Sequence, residues 1–159
     1  MDKLNKDEME KNVLFGILNG ISFPVLYKIS YIANYFKEPL LKEMELRFKI
    51  THYEVFSILF LAYADGITAS DICEFSGHLK NNISRAISSL ETKGLVIRIP
   101  DEADARKMKI FITSAGRELH ESIAPLFSQR EHEFLCGLNP HEIELLERFL
   151  RKVCAGIPK

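Results

Sequence analysis

The chain has 159 residues, 47% apolar and 27% charged, with a formal net charge of -1. That length suits one domain, or one domain plus an assembly surface, and the composition is that of a soluble globular chain rather than a disordered or fibrous one. The near-zero total hides an asymmetry: residues 1–77 carry 8 Lys+Arg against 11 Asp+Glu, residues 78–117 carry 8 against 4, and residues 118–159 carry 5 against 7. Basic charge is confined to the middle segment, where a polyanion would dock while acidic flanks limit indiscriminate binding.

In chain order, residues 12–27 are uncharged but are interrupted by Gly16, Asn19, Gly20, Ser22 and Pro24. The stretch is shorter than a bilayer span and lacks the positive flank and small-residue cleavage site of a signal peptide. With three cysteines at long spacing and no CxxC, the expected compartment is reducing and cytoplasmic, with no membrane partner. Val13–Ile21 reads either as an extra N-terminal helix joining an assembly surface or as a segment packing within its own chain.

A first long helix is predicted over 22–47, from Phe23, Leu26, Ile29, Ile32, Ala33, Phe36, Leu40 and Met44 at three- and four-residue steps; Pro39 should kink it. Residues 52–64, dense in apolar side chains, form a second helix buried over most of its circumference. Thr68 and Asp71 make a capping box for a short third helix, 69–76, which stops at Gly77. A fourth helix, 80–93, closes on Lys93-Gly94. Strands follow at 95–99 and 108–112. Thr113 caps a helix over 114–136, and Asn139-Pro140 opens a last one over 141–155.

The order α-α-α-α-β-β-α-α places a helix, a turn, a second helix and a β-hairpin in succession. The expected fold is mainly α with a small hairpin wing, a winged helix-turn-helix. Residues 1–48 would hold the N-terminal extension and first dimerisation helix, 49–116 the winged lobe, and 117–159 the C-terminal dimerisation helices.

On a helical wheel Ile83, Ala86, Ile87 and Leu90 share the core side of the fourth helix. Asn81, Asn82, Arg85, Ser88, Ser89 and Thr92 share the other, with Ser84 also available; no acid precedes Glu91. A slim polar face of this kind can enter a major groove about 12 Å wide, where Asn pairs with adenine and Arg with guanine. Asn81, Asn82 and Arg85 are the candidate base readers and Lys80 a phosphate contact. In the wing, Arg98 and Lys109 alternate with apolar neighbours and should project toward phosphates. Residues 101–109 crowd three acids and three bases together. Arg106 at the tip, beside Lys107, is placed to enter the minor groove. Asp104 is placed to orient its guanidinium, or else to form an ion pair that steadies the loop.

The segments TASDICEFSG and NNISRAISSLETKGLVIRIPDEADARKMKIFITSAG resemble the DNA-binding core of the MarR family of bacterial regulators. The wing motif of that family, Asp-x-Arg and then a hydrophobic–x–hydrophobic–Thr–x–x–Gly run, falls on Asp104, Arg106, Ile110, Ile112, Thr113 and Gly116. The end of its recognition helix falls on Leu90, Glu91, Lys93, Gly94, Leu95 and Val96. Leu79 departs from the pattern, since many members place a polar capping residue there.

The resemblance implies an intertwined homodimer binding double-stranded DNA at a pseudo-palindromic operator, read as a repressor and released by a small aromatic or anionic effector. Such a pocket would lie between the dimer helices and the lobe, where Tyr31, Tyr35, His52 and Tyr53 fall. The apolar load of the last two helices, including Leu126, Phe134, Leu146, Phe149 and Val153, independently asks for a second subunit as cover.

Three alternatives accompany this reading. Cysteine-based redox response is disfavoured because the resemblance implies a sensing cysteine near the start of the first long helix and no cysteine precedes Cys73; Cys136 and Cys154 read as structural. A zinc response would start from His132 and Cys136, one helical turn apart, with Glu131 and His120 nearby. A winged-helix module that binds protein would not need Arg85, Arg98, Arg106 and Lys109 on one side. No phosphate loop, nucleophile elbow or HExxH occurs, so neither an enzyme nor a cofactor is expected.

Overall fold

The computed structural model describes residues 3–104 and 106–158. Among the described residues, seven α-helices, α1 (Lys3–Gly20), α2 (Pro24–Glu43), α3 (His52–Tyr63), α4 (Ala69–Ser76), α5 (Lys80–Thr92), α6 (Ser114–Leu135) and α7 (Pro140–Ala155), combine with strands β1 (Ile67–Thr68), β2 (Val96–Pro100) and β3 (Met108–Ile112). The fold class is the winged helix expected from the sequence. The chain divides into two compact units, Met1–Pro39 and Leu40–Lys159.

The first unit holds α1 and most of α2. The uncharged stretch is helical on both sides of a break at residues 21–23, across which Lys28 Nζ donates to Asn19 Oδ1 at 2.5 Å. The long helix therefore begins at Pro24 rather than 22, and Pro39 lies inside it. Among the described residues, no helix is long and apolar enough to cross a membrane.

In the second unit, α2 ends at Glu43 and passes into a single π-helical turn, Met44–Phe48, closed by Lys49 at φ 56°. The single helix predicted to run to residue 47 is thus split. The core joins Met44 and Ile50 with Val55, Ile58 and Leu61 of α3, Ile72 of α4, Ile83, Ile87 and Leu90 of α5, Val96, Ile110 and Ile112 of the sheet, and Ile123 of α6. Helices α3 and α5 place these residues at three- or four-residue steps, so one face of each closes on the same volume.

The sheet is antiparallel in the order β1-β3-β2. The hairpin β2–β3 carries the register Val96↔Ile112, Arg98↔Ile110 and Ile99↔Lys109. β1 was not expected: two residues are too few for an alternation to show, and Ile67↔Ile110 pairing supplies what local sequence does not.

The caps match the residues that suggested them. Asp71 N donates to Thr68 Oγ1 at 3.2 Å and Thr68 N to Asp71 Oδ2 at 2.8 Å. Gly77 then ends α4 in the left-handed region at φ 68°, where a Cβ is disfavoured. Gly116 N donates to Thr113 Oγ1, and Glu142 N to Asn139 Oδ1, each at 3.1 Å. A Cβ on Gly116 would lie 2.2 Å from Leu95 O, so α6 can press against the start of the hairpin only with glycine there. By contrast, α7 contains no buried residue; Phe149 is 54% exposed and Val153 45%.

Candidate nucleic-acid interface

Helix α5 separates its faces as the wheel requires. Ile83, Ala86, Ile87 and Leu90 are buried, while Lys80, Asn81, Ser84, Arg85, Ser88 and Thr92 are exposed and Asn82 and Ser89 half-buried. Leu79 occupies the N-cap in extended backbone without a side-chain cap, and its own side chain is 75% exposed. Its carbonyl accepts from Asn82 N at 3.0 Å and Ile83 N at 3.3 Å, so the helix starts on main-chain bonds alone. Arg85 folds back along the helix: Nη2 donates to Asn82 Oδ1 at 3.0 Å and Nε to Asn81 O at 3.3 Å. The three candidate readers thus form one hydrogen-bonded group on the leading half of α5.

The wing differs from expectation in three places. Arg98 and Lys109 do not project together. Cross-strand partners share a face of a sheet; Arg98 pairs with buried Ile110, whereas Lys109 pairs with exposed Ile99, so the two cations leave by opposite faces. Arg98 faces α5, where Nε and Nη2 donate to Glu91 Oε2 at 2.9 and 2.5 Å and Nη2 also donates to Ser88 Oγ at 3.2 Å. Those hydrogen bonds hold the Glu91 carboxyl below its ordinary range and raise the Arg98 guanidinium.

Lys109 Nζ lies 3.2 Å from Asp101 Oδ2. The Asp101 carboxyl is lowered first by the Ala103 amide, which donates to it at 2.8 Å, and then by Lys109. Asp104 stabilises the tip through the main chain: its Oδ1 accepts from Arg106 N at 3.1 Å and its carbonyl from Lys107 N at 2.8 Å. That carboxylate bond goes to backbone, not to the guanidinium it was expected to orient, because an Asx turn two residues long closes more easily than a side-chain pair. Arg106 and Lys107 are exposed.

Behind α5 lies a polar cluster that the sequence did not suggest. Glu54 is 1% exposed. Its Oε1 accepts from Lys93 Nζ at 2.6 Å and its Oε2 from Thr51 N at 2.6 Å; Lys93 Nζ also donates to Lys49 O at 2.8 Å. Burial pushes the Glu54 carboxyl up, but the hydrogen bonds from Lys93, Thr51 and Ser89 outweigh it and leave it below the ordinary carboxylate range. The cluster ties the end of α5 to the start of α3. Its one sequence signal is Glu54 three residues after Thr51, a capping-box spacing.

The four residues assigned to an effector pocket fall in two pairs. Tyr31 and Tyr35 belong to the first unit, with ring centroids 4.6 Å apart, and their mutual hydrogen bond raises the Tyr31 hydroxyl. His52 and Tyr53 belong to the second, stacked 4.9 Å apart within 3° of parallel. The second pair lines a cleft of about 400 Å³ together with Thr51, Glu54, Asn82, Arg85, Ala86 and Ser89.

Cys73 packs partly against the core, whereas Cys136 and Cys154 are exposed. The expectation that both are structural is corrected, since neither is covered by its own chain. His132, Cys136 and Glu131 line one open cleft, but among the described residues no group of three or more His, Cys, Asp or Glu side chains is placed to hold a metal.

Residues 57–107 match the family model described as MarR family. Over 106 residues the chain is 30% identical to YwaE of Bacillus subtilis, an uncharacterized HTH-type transcriptional regulator; the match takes in 66% of this chain and 62% of that one. The chain thus spans less than two thirds of that relative's length. A MarR-family transcriptional regulator from Silicibacter pomeroyi superposes with a TM-score of 0.76 over 89% of this chain and 92% of its own, a likeness of fold at 22% identity. MepR of S. aureus, in a crystal structure of its DNA complex, superposes with a TM-score of 0.72 at 25% identity over 86% of this chain and 98% of its own.

Proposed function

Because this chain belongs to the MarR family of winged-helix transcriptional regulators, we propose that it binds a pseudo-palindromic duplex operator as a homodimer and represses until a small anionic aromatic molecule releases it. One observation carries the DNA reading. Arg98 of β2 hydrogen-bonds to Ser88 on the exposed face of α5 and so ties the hairpin to that face. That bond supports an arrangement in which the polar helix and the basic tip of Arg106 and Lys107 act together within the 49–116 lobe. In it, Asn81, Asn82 and Arg85 read base edges, and Lys80, Ser84, Ser88 and Lys107 meet the backbone. Lys109, paired with Asp101, contributes field rather than contact.

The bare apolar side of α7 supports the dimer. Covering a side chain such as Phe149 or Leu150 is worth about 1.5–3 kcal/mol each, and a second copy offers the same helix in return. A two-fold dimer places its recognition helices about one turn of duplex apart, near 34–36 Å. For release, the cleft beside His52 and Tyr53 offers two stacked rings and the Arg85 guanidinium; an aromatic carboxylate bound there engages a cation that DNA also needs.

Selection of duplexes from a random pool tests the reading. The expected result is an inverted repeat with half-sites one turn apart, and affinity that falls linearly with salt on logarithmic axes. A pool that yields no enriched symmetric site, with no salt-dependent retention, would remove the DNA assignment.

A further inference from the structure

We propose that Arg98 is a positioning residue, which sets the angle of the wing against the recognition helix, and not a ligand for DNA phosphate. The inference rests on the DNA-binding reading and concerns how the two contacting elements are kept in register.

The guanidinium has five N–H donors in a rigid fork. Two go to Glu91 Oε2, at 2.9 and 2.5 Å, and one to Ser88 Oγ, at 3.2 Å. Both acceptors stand on α5, one helical turn apart, so the fork grips the helix at two points and resists rotation as well as translation. Arg98 is the middle residue of β2, at the base of the hairpin, while the tip turns at Asp104 and Arg106. A small rotation at the base becomes a larger displacement at the tip, and groove contacts tolerate little displacement. The face matters too. Arg98 lies on the side of Val96 and Ile110, toward α5 and the core, because its cross-strand partner is buried.

Charge supports the same assignment. Glu91 is the first acid in α5, after eleven residues with none. Left alone it would repel a phosphate; bonded to Arg98 it presents a neutral pair. The side chains are 31% and 38% exposed, so an approaching duplex removes water from the pair and strengthens it when the wing must be stiff.

The two roles predict opposite signs for one substitution. Glu91→Ala removes an acid and frees Arg98, so a phosphate ligand would bind DNA more tightly. A positioning residue would lose its anchor, and binding would weaken. The experiment measures affinity for the selected site and maps protection of each groove for wild type, Glu91→Ala, Arg98→Lys, Arg106→Ala and the Glu91→Ala, Arg106→Ala double variant. Unfolding midpoints are measured alongside.

The expected result is a loss of about fivefold for Glu91→Ala, the low end for one groove contact. Minor-groove protection by the wing should disappear while major-groove protection and the unfolding midpoint stay. In the Arg106→Ala background the same change should cost little more, since the tip contact is already gone. Arg98→Lys keeps the charge but not the fork, and should behave like Glu91→Ala. Tighter binding by Glu91→Ala, or full binding by Arg98→Lys, overturns the proposal and leaves the regulator reading intact. Failure of the wild-type chain to bind any duplex sinks both.

Discussion

The winged lobe and helix α7 are built from similar proportions of apolar residues and treat them in opposite ways. In the lobe, α5 spends its four apolar positions on the core and leaves only polar groups outside. In α7, Ile143, Leu146, Phe149, Leu150 and Val153 form an equally regular stripe, yet no residue is buried. A periodic stripe therefore predicts that a face will be covered, without saying by what. Where the chain supplies the cover, the pattern reports a core; where it does not, the same pattern reports an interface.

Truncations on the two stripes should separate these cases most sharply. Leu90 is fully buried among α3, α4 and sheet residues, so Leu90→Ala should cost about 2–5 kcal/mol of unfolding free energy at every protein concentration. Phe149→Ala should cost about 1–3 kcal/mol, and only where copies associate. Its unfolding midpoint should approach that of wild type as both are diluted, because mass action sets the contribution of a subunit contact. Thermal unfolding across a hundredfold concentration range reads both. A concentration-independent loss at Phe149 would mean that α7 is covered by its own chain.

Within the lobe, the Glu54–Lys93 pair offers a smaller effect with a definite sign. The Glu54 carboxyl is held below its ordinary value, so its contribution to stability is complete above the unfolded value near 4.5 and is lost as pH falls through the folded one. Lys93→Met removes the largest of the hydrogen bonds that oppose burial, and the carboxyl then rises from its lowered value. We expect a cost of about 1–2 kcal/mol at pH 7, less than for a fully enclosed pair because Lys93 is partly solvated. The difference from wild type should shrink toward zero as the pH is lowered and Glu54 is protonated in both. Denaturant titrations from pH 3 to 7 check it; a gap that widens in acid would reverse the assignment.

What the sequence disclosed follows from the range of the interactions involved. Helix starts at Thr68, Thr113 and Asn139 were legible because their caps bond within three residues. The core face of α5 was legible because one helical period defines it. β1 was not, since its pairing reaches 43 residues along the chain, from Ile67 to Ile110. Lys93 read as a basic last turn of a helix, yet its amine spans 39 residues to Glu54. The wing shows the limit most clearly. Alternation alone put Arg98 and Lys109 on one outward face, but only the register, which sets Arg98 opposite Ile110, decides that they diverge. The elements that carry the candidate residues were thus legible, whereas the direction of two of the cations was not.

The smallest expected effect lies at the tip, where the divergence leaves Arg106 as the exposed cation whose backbone is fixed, through Asp104. The Asx bond holds the main chain and leaves the guanidinium free to follow a groove. Arg106→Ala should therefore change neither fold nor dimer, weaken operator binding by about 1 kcal/mol, and flatten the dependence of log affinity on log salt by about one unit. Asp104→Ala removes no cation, so it should weaken binding with the slope nearly kept, by loosening the turn that presents Arg106. Binding isotherms at four salt concentrations distinguish the two. Equal slopes for wild type and Arg106→Ala would place the tip away from the duplex, and the polar face of α5 would then have to account for binding alone.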